Sequence, residues 1–189
     1  KTVSVIMLIT LLGKVLGLVR DMLLGHNFGV GMASSAFLTA SRIPRNFFDV
    51  IFASAISASF IPVFNEYLEK KGREEAFRLS NAFITVTALA SAVLSVLGML
   101  GSAPLTALLA DGFDAPTAAL CASLLRVLFP TVFFTGIAFS LVGILQSLGE
   151  FNLPAALSLV SNTVIIVYYV LFPERFGVEG LAVAFLLGW

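Results

Sequence analysis

The chain has 189 residues, 59% of them hydrophobic and 12% charged, with 18 phenylalanines, and its mean hydropathy is +1.03. So few polar groups cannot cover a soluble globule of this size, which excludes a soluble or a disordered domain and leaves an integral membrane protein. Eleven basic residues balance eleven acidic ones, against a nucleic-acid partner held by bulk positive charge, and a single Cys121 with a single His26 forms neither an internal disulfide nor a metal-ligand cluster.

Residues 2–24 are apolar apart from Lys14, Arg20 and Asp21. No small-x-small cleavage site follows, so the stretch reads as a first transmembrane helix rather than a signal peptide. Gly13 and Gly17 stand four apart, a spacing that lets another helix approach closely. Lys14, Gly17 and Asp21 share a face, with Arg20 about a third of a turn round from it. Two readings of Arg20 and Asp21 stand: an interfacial helix end whose charges reach the headgroups, or a functional pair inside the bundle. Gly25 to Gly31 (G-H-N-F-G-V-G) reads as a turn by its glycine content. His26 is then a solvated turn residue, and Ser34 or Ser35 is a candidate cap for the next helix.

A second helix over about 35–64 has a length of roughly 45 Å, which exceeds the hydrocarbon core and requires tilt, a kink or protrusion. Pro44 removes a helical hydrogen bond, so a kink is expected near it. Arg42, Arg45 and Asp49 recur at i, i+3 and i+7 and project from one face. Either the span begins at Asn46 and the arginines merely flank it, or this face meets water or a ligand. Asn65 to Ser80, the one strongly charged stretch, carries Lys70, Lys71, Arg73 and Arg78 and is cytoplasmic by the positive-inside rule. Two spans earlier, the amino terminus with Lys1 is then cytoplasmic as well. The second helix starts on the outer side, where arginines as mere flanks are out of pattern, so the water-lined reading is favoured. The charged loop itself reads as a solvated face and an orientation signal.

A third span, 81–100, is uncharged and rich in small residues suited to close helix packing. Gly101 to Pro116, with Asp111 and Asp114 but no Lys or Arg, reads as an outer loop in which Leu105 to Ala110 form a short interfacial helix. The fourth span, 117–148, contains Pro130 and Arg126, the latter either interfacial or facing the bundle. A fifth, 154–172, opens on Pro154 and holds Asn162 at its middle as a helix-to-helix hydrogen bond. The last apolar segment, 178–189, has only about a dozen residues where spanning takes about 20. The expected fold is all-α and polytopic, with about six transmembrane helices, both ends inside and the last helix truncated. That truncation, with Lys1 in place of an initial methionine, points to a piece of a longer polypeptide. No nucleophile, base and orienting group converge in recognisable spacing, so no catalytic residue, cofactor or metal is assigned.

The runs G-K-V-L-G-L-V-R-D (Gly13 to Asp21), F-G-V-G-M-A-S-S-A-F (Phe28 to Phe37), F-I-P-V-F-N-E-Y (Phe60 to Tyr67), L-L-R-V-L-F-P (Leu124 to Pro130) and F-N-L-P-A (Phe151 to Ala155) resemble the amino-terminal half of the MurJ/MviN family. These are bacterial flippases for lipid II, the lipid-linked peptidoglycan precursor, within the multidrug/oligosaccharidyl-lipid/polysaccharide exporter superfamily. The resemblance covers essentially the whole chain. It implies one lobe of a two-lobed flippase that works by alternating access in the bacterial cytoplasmic membrane for cell-wall synthesis. The implied partners are a lipid-linked pyrophosphate glycan, membrane lipids and a carboxy-terminal lobe missing from this chain.

Guanidinium groups offer permanently charged, directional donors to pyrophosphate oxygens. Each such charge costs about 2.5–3.5 kcal/mol at a helix centre on insertion scales, so a hydrated cavity is its natural home. With the resemblance, Arg20, Arg42, Arg45 and Lys14 are the expected substrate-binding residues, and Asp21 or Asp49 balances or gates them. Lys14 stands at a commonly arginine site, while Arg20 and Asp21 match the family's arginine–aspartate pair. The second helix departs from the pattern. Where the family commonly has an arginine pair followed by I-F-A-E-G, this chain reads Phe48-Asp49-Val50-Ile51-Phe52-Ala53-Ser54, and Arg42 and Arg45, one to two turns earlier, are expected to supply the positive charge. The departure leaves two alternatives: an exporter of another lipid-linked saccharide, and a non-transporting scaffold or inactive homologue whose charges only hold helices together.

Overall fold

One repeated spacing shapes the longest helix. Phe48, Phe52, Ile56, Phe60 and Phe64 recur every fourth residue, and all five are buried. In a regular α-helix a four-residue repeat drifts by about 40° per step, which would carry this stripe roughly 160° off the core by its end. Two π-helical turns, Asp49–Ala53 and Ile56–Phe60, slow the rotation by closing i→i+5 hydrogen bonds, and the stripe stays on the core. The computed structural model describes residues 2–189; Lys1, counted above as an inner basic residue, lies outside them. The helix runs unbroken over Met32–Lys70 and comprises α2 (Met32–Phe48), the two π turns and α3 (Ile61–Lys70). It stays helical through Pro44, whose fully buried ring is held by packing on the neighbouring helices. Beyond it lie the two π turns.

The other elements are α1 (Thr2–Phe28), α4 (Arg73–Leu100), α5 (Ser102–Leu109), α6 (Ala115–Leu128), α7 (Thr131–Ser147), α8 (Asn152–Leu171) and α9 (Pro173–Leu187). Helix α1 lies along α8 and α8 along α9, while α2 packs on α6 and α4 on α7. The main core joins Phe37, Ile43 and Phe48 of α2 to Leu124 and Leu128 of α6, Ile165 of α8 and Leu181 of α9. A smaller one, toward the charged hairpin, is built on Phe60, Phe64, Ala76 and Ile144, with Phe60 stacked on Phe83 at 4.1 Å between ring centroids.

Three boundaries differ from the sequence reading. Helix α1 continues through His26 to Phe28, so the turn expected over Gly25–Gly31 shrinks to its last glycines, where Gly29 takes φ +65°. Neither Ser34 nor Ser35 caps α2, which starts at Met32 with Gly31 before it; Ser34 Oγ instead donates to the Gly29 carbonyl. The charged stretch 65–80 is almost wholly helical, broken only between α3 and α4, where Gly72 takes φ +85°. Its charges support those helix ends: Lys70 Nζ bonds Glu66 at 2.9 Å, Arg78 lies 3.8 Å from Glu75, and Lys71 sits 4.0 Å over the Tyr67 ring. Pairs at i, i+3 and i, i+4 favour helix where solvent, not lipid, surrounds the chain.

The fourth span is bent by 40° between α6 and α7. Pro130 has no N–H to give, and the break is held from α4: Ser95 Oγ donates to the Phe129 carbonyl at 3.2 Å, and the Phe129 ring lies on Gly98. Thr87, Ser91, Ser95 and Gly98 form a buried stripe of small residues on α4 facing Gly136 and Ser140 on α7, the kind of seam that lets helices meet closely in lipid.

Met32–Lys70, Arg73–Leu100 and Asn152–Leu171 are long and apolar enough to cross a membrane, and the bent α6–α7 pair adds a fourth if taken as one span. Helix α1 has comparable length, about 40 Å, but carries three charges. Large apolar side chains such as Leu8, Leu11 and Leu18 on α1 or Leu89, Val93 and Leu97 on α4 face outward, as a lipid-facing surface requires. The chain is an all-α, multi-pass membrane protein.

Candidate cationic cavity

The site begins with two glycines. A Cβ on Gly13 would collide with Ser158 Oγ, whereas one on Gly17 would stand in ordinary contact 3.6 Å from Asn162 Nδ2, so α1 lies this close to α8 because Gly13 has no side chain. The close approach at Gly13 places its carbonyl within reach of α8, and Asn162 Nδ2 donates to it at 3.1 Å. Asn162 Oδ1 in turn accepts from Arg20 Nη1 at 3.1 Å. Both ends of this buried amide are used, which fixes its orientation. Arg20 Nε and Nη2 donate to Asp21 Oδ1 at 3.0 and 2.8 Å. A guanidinium has five N–H groups, so one on each terminal nitrogen remains free for a ligand.

Arg20 opens onto a cavity of about 520 Å³ between α1, α2, α7 and α8. Arg45 reaches it from α2, Gln146 from α7, and Ser158, Ser161 and Asn162 from α8, with Phe139 and Trp189 as aromatic wall. Arg45 also borders a smaller adjoining recess of about 80 Å³ together with Ser41, Asp49 and Thr135. Its Nε lies 3.8 Å from Asp49 Oδ2, with the two side chains 78% and 57% exposed. That separation is an ion pair without a hydrogen bond, and so open a pair is worth well under about 1 kcal/mol. Arg45 is therefore free to exchange Asp49 for a stronger anion.

Of the residues singled out from sequence, Arg20 and Arg45 share the cavity, each beside its expected acid, Asp21 or Asp49. Lys14 and Arg42 are exposed on the same two helices, outside the cavity lining, and pair with no carboxylate among the described residues. Arg126 is exposed on α6, away from the core-facing side of that helix. Asn162 makes the helix-to-helix hydrogen bond expected of it, while Ser158 and Ser161 beside it were not singled out. Their signal was the recurrence of Ser158, Ser161 and Asn162 at i, i+3 and i+4 in an otherwise apolar span. No group of three or more His, Cys, Asp or Glu side chains suited to a metal occurs among the described residues.

Two permanent cations, unpaired N–H donors and neutral amide and hydroxyl groups around one open cavity suit a large anionic polar headgroup. The model of the lipid II flippase MurJ family matches residues 24–189. The chain belongs to that family. It is 32% identical over 159 residues to the lipid II flippase MurJ of Burkholderia cenocepacia, covering 83% of this chain and 31% of that one. Against the probable lipid II flippase MurJ of Haemophilus influenzae it is 38% identical over 158 residues, 76% of this chain and 30% of that one. Among solved structures, a lipid II flippase MurJ in an inward closed conformation superposes with a TM-score of 0.80 at 27% identity, over 97% of this chain and 39% of that one. A MOP superfamily transporter from Pyrococcus furiosus, whose binding pocket is described as reversed in polarity, shares the fold at 18% identity and a TM-score of 0.77, over 98% and 41% of the two chains. The chain thus spans about a third of the length of the MurJ relatives it matches. The MurJ family consists of lipid II flippases, which are transporters.

Proposed function

We propose that this chain is the amino-terminal lobe of a lipid II flippase of the bacterial cytoplasmic membrane, working by alternating access together with a carboxy-terminal lobe. The observation that carries the reading is the pair Arg20 and Arg45 at one cavity in a chain of this family. In the proposal both arginines hold the pyrophosphate of the lipid-linked glycan. Asp21 balances Arg20. Asp49 occupies Arg45 while the cavity is empty and yields it to the substrate. Lys14 and Arg42 extend the cationic path beyond the cavity along the same two helices. Among proteins of this superfamily, the neutral polar wall of α7 and α8 suits a saccharide headgroup.

The test is lipid II translocation by the full-length protein in liposomes. Changing Arg20 and Arg45 together to alanine is expected to lower the rate at least tenfold, the order set by losing two charge-assisted contacts. Unchanged transport would show that the cationic cavity is not the path. The proposed orientation places the α3–α4 hairpin and the amino terminus in the cytoplasm. A cysteine introduced at Arg73 in intact cells should resist an impermeant maleimide and react once the cytoplasmic face is opened; labelling from outside would invert the topology.

A further inference from the structure

We propose that Asn162 is the positioning residue for Arg20, holding its guanidinium toward the cavity without cancelling its charge. The inference rests on the reading of Arg20 as a substrate contact. Arginine gives up much rotamer freedom in any fixed pose, so its direction has to be imposed. Asp21 alone imposes the wrong one. Adjacent residues on a helix do not share a face, and Asp21 is 62% exposed where Arg20 is 30% exposed. Its pull is sideways along α1. Asn162 supplies the opposing contact from α8, accepting from Nη1 at 3.1 Å, and is itself anchored by donating to the Gly13 carbonyl at 3.1 Å.

The chemistry of the anchor matters as much as its place. With Asp21 already paired to Arg20, a second carboxylate at 162 would turn the group net negative and repel a pyrophosphate. A hydroxyl on the short serine stem would not span from Gly13 to Arg20. An asparagine holds by its dipole and leaves the net charge of the site unchanged. Its two hydrogen bonds also require α1 to lie as close as Gly13 allows, so the packing of the two helices and the pose of Arg20 are one arrangement.

The experiment is a double-mutant cycle on the full-length protein in nanodiscs, with undecaprenyl pyrophosphate as the probe and its dissociation constant as the readout. Asn162→Ala is expected to weaken binding roughly tenfold or more, the size of one lost hydrogen bond to a charged group. The isosteric Asn162→Asp is expected to weaken it at least as much, and to lower the thermal midpoint as well, because a carboxylate cannot donate to the Gly13 carbonyl. In an Arg20→Ala background both changes should lose most of their effect, because the residue they act through is gone. An Asn162→Ala penalty that persists undiminished without Arg20 would make Asn162 a packing residue and overturn the proposal, as would Asn162→Asp binding as well as the parent. If Arg20→Ala alone leaves affinity unchanged, the assignment of Arg20 to the substrate path fails instead, which separates that failure from this one.

Discussion

Gly98→Ala is expected to destabilise the lobe by about 3 kcal/mol, the upper end of the overpacking range. The added methyl would fall onto the body of the Phe129 ring, touching three of its carbons, and that ring is fully buried. A flexible side-chain tip yields to such a contact, whereas a ring wedged in the core moves only with its backbone. The backbone at Phe129 is where the fourth span bends, and its carbonyl is tied to Ser95 on α4. Relief would therefore lift α7 away from the Thr87–Ser91–Ser95 seam. A lowered midpoint of thermal unfolding in detergent measures the loss. Phe129→Leu in the same chain should restore part of it, and a Gly98→Ala protein that melts with the parent would remove the close approach from the account.

The second large effect concerns two glycines that look alike in sequence. Gly13→Leu is expected to abolish the docking of α1 on α8 and, with it, lipid II transport. Gly17→Ala should be close to silent, because its Cβ would meet only Asn162 Nδ2 at 3.6 Å, an ordinary contact. Gly13→Ala is intermediate. The obstructing atom is Ser158 Oγ, a single hydroxyl that can rotate away from its 3.3 Å contact with the Ala155 carbonyl, so the cost is about 1 kcal/mol. Adding Ser158→Ala should erase that cost. Transport rates and thermal midpoints of the four proteins check the order. Equal behaviour of Gly13→Ala and Gly17→Ala, unmoved by Ser158→Ala, would refute the seat described for α1.

The membrane class and the approximate spans were legible because uninterrupted apolar length has few other meanings. The boundaries were less so. Glycines at 25 and 29 look equivalent in a string of letters, yet only Gly29 has a positive φ, while Gly25 continues the helix. Charge at 65–80 looked like a loop because it cannot lie in lipid, although helices that protrude into water carry such charge comfortably. In the cavity, Arg45 and Asp49 could be named from helical spacing, and Arg20 and Asp21 from the arginine–aspartate pair of the family resemblance; each pair is local. Asn162 could be seen as a mid-span amide but not as the partner of Arg20, because 142 residues separate them and only the α1–α8 contact closes that distance.

The two π turns give the second helix a property that a straight rod lacks. Each stores one residue beyond the regular count, and the carbonyls they loosen are met by Ser54 Oγ on Val50 and Ser57 Oγ on Ala53, so the detour leaves little unsatisfied in the membrane. If one such turn tightened into α-helix, the part beyond it would rotate by about 100° and advance by about 1.5 Å relative to the part before it. Arg45 and the charged hairpin sit on opposite sides of both turns. The helix is thus a shaft with two built-in slip joints, along which the cavity end and the hairpin end can be re-phased by a single residue of thread while every turn between them stays wound.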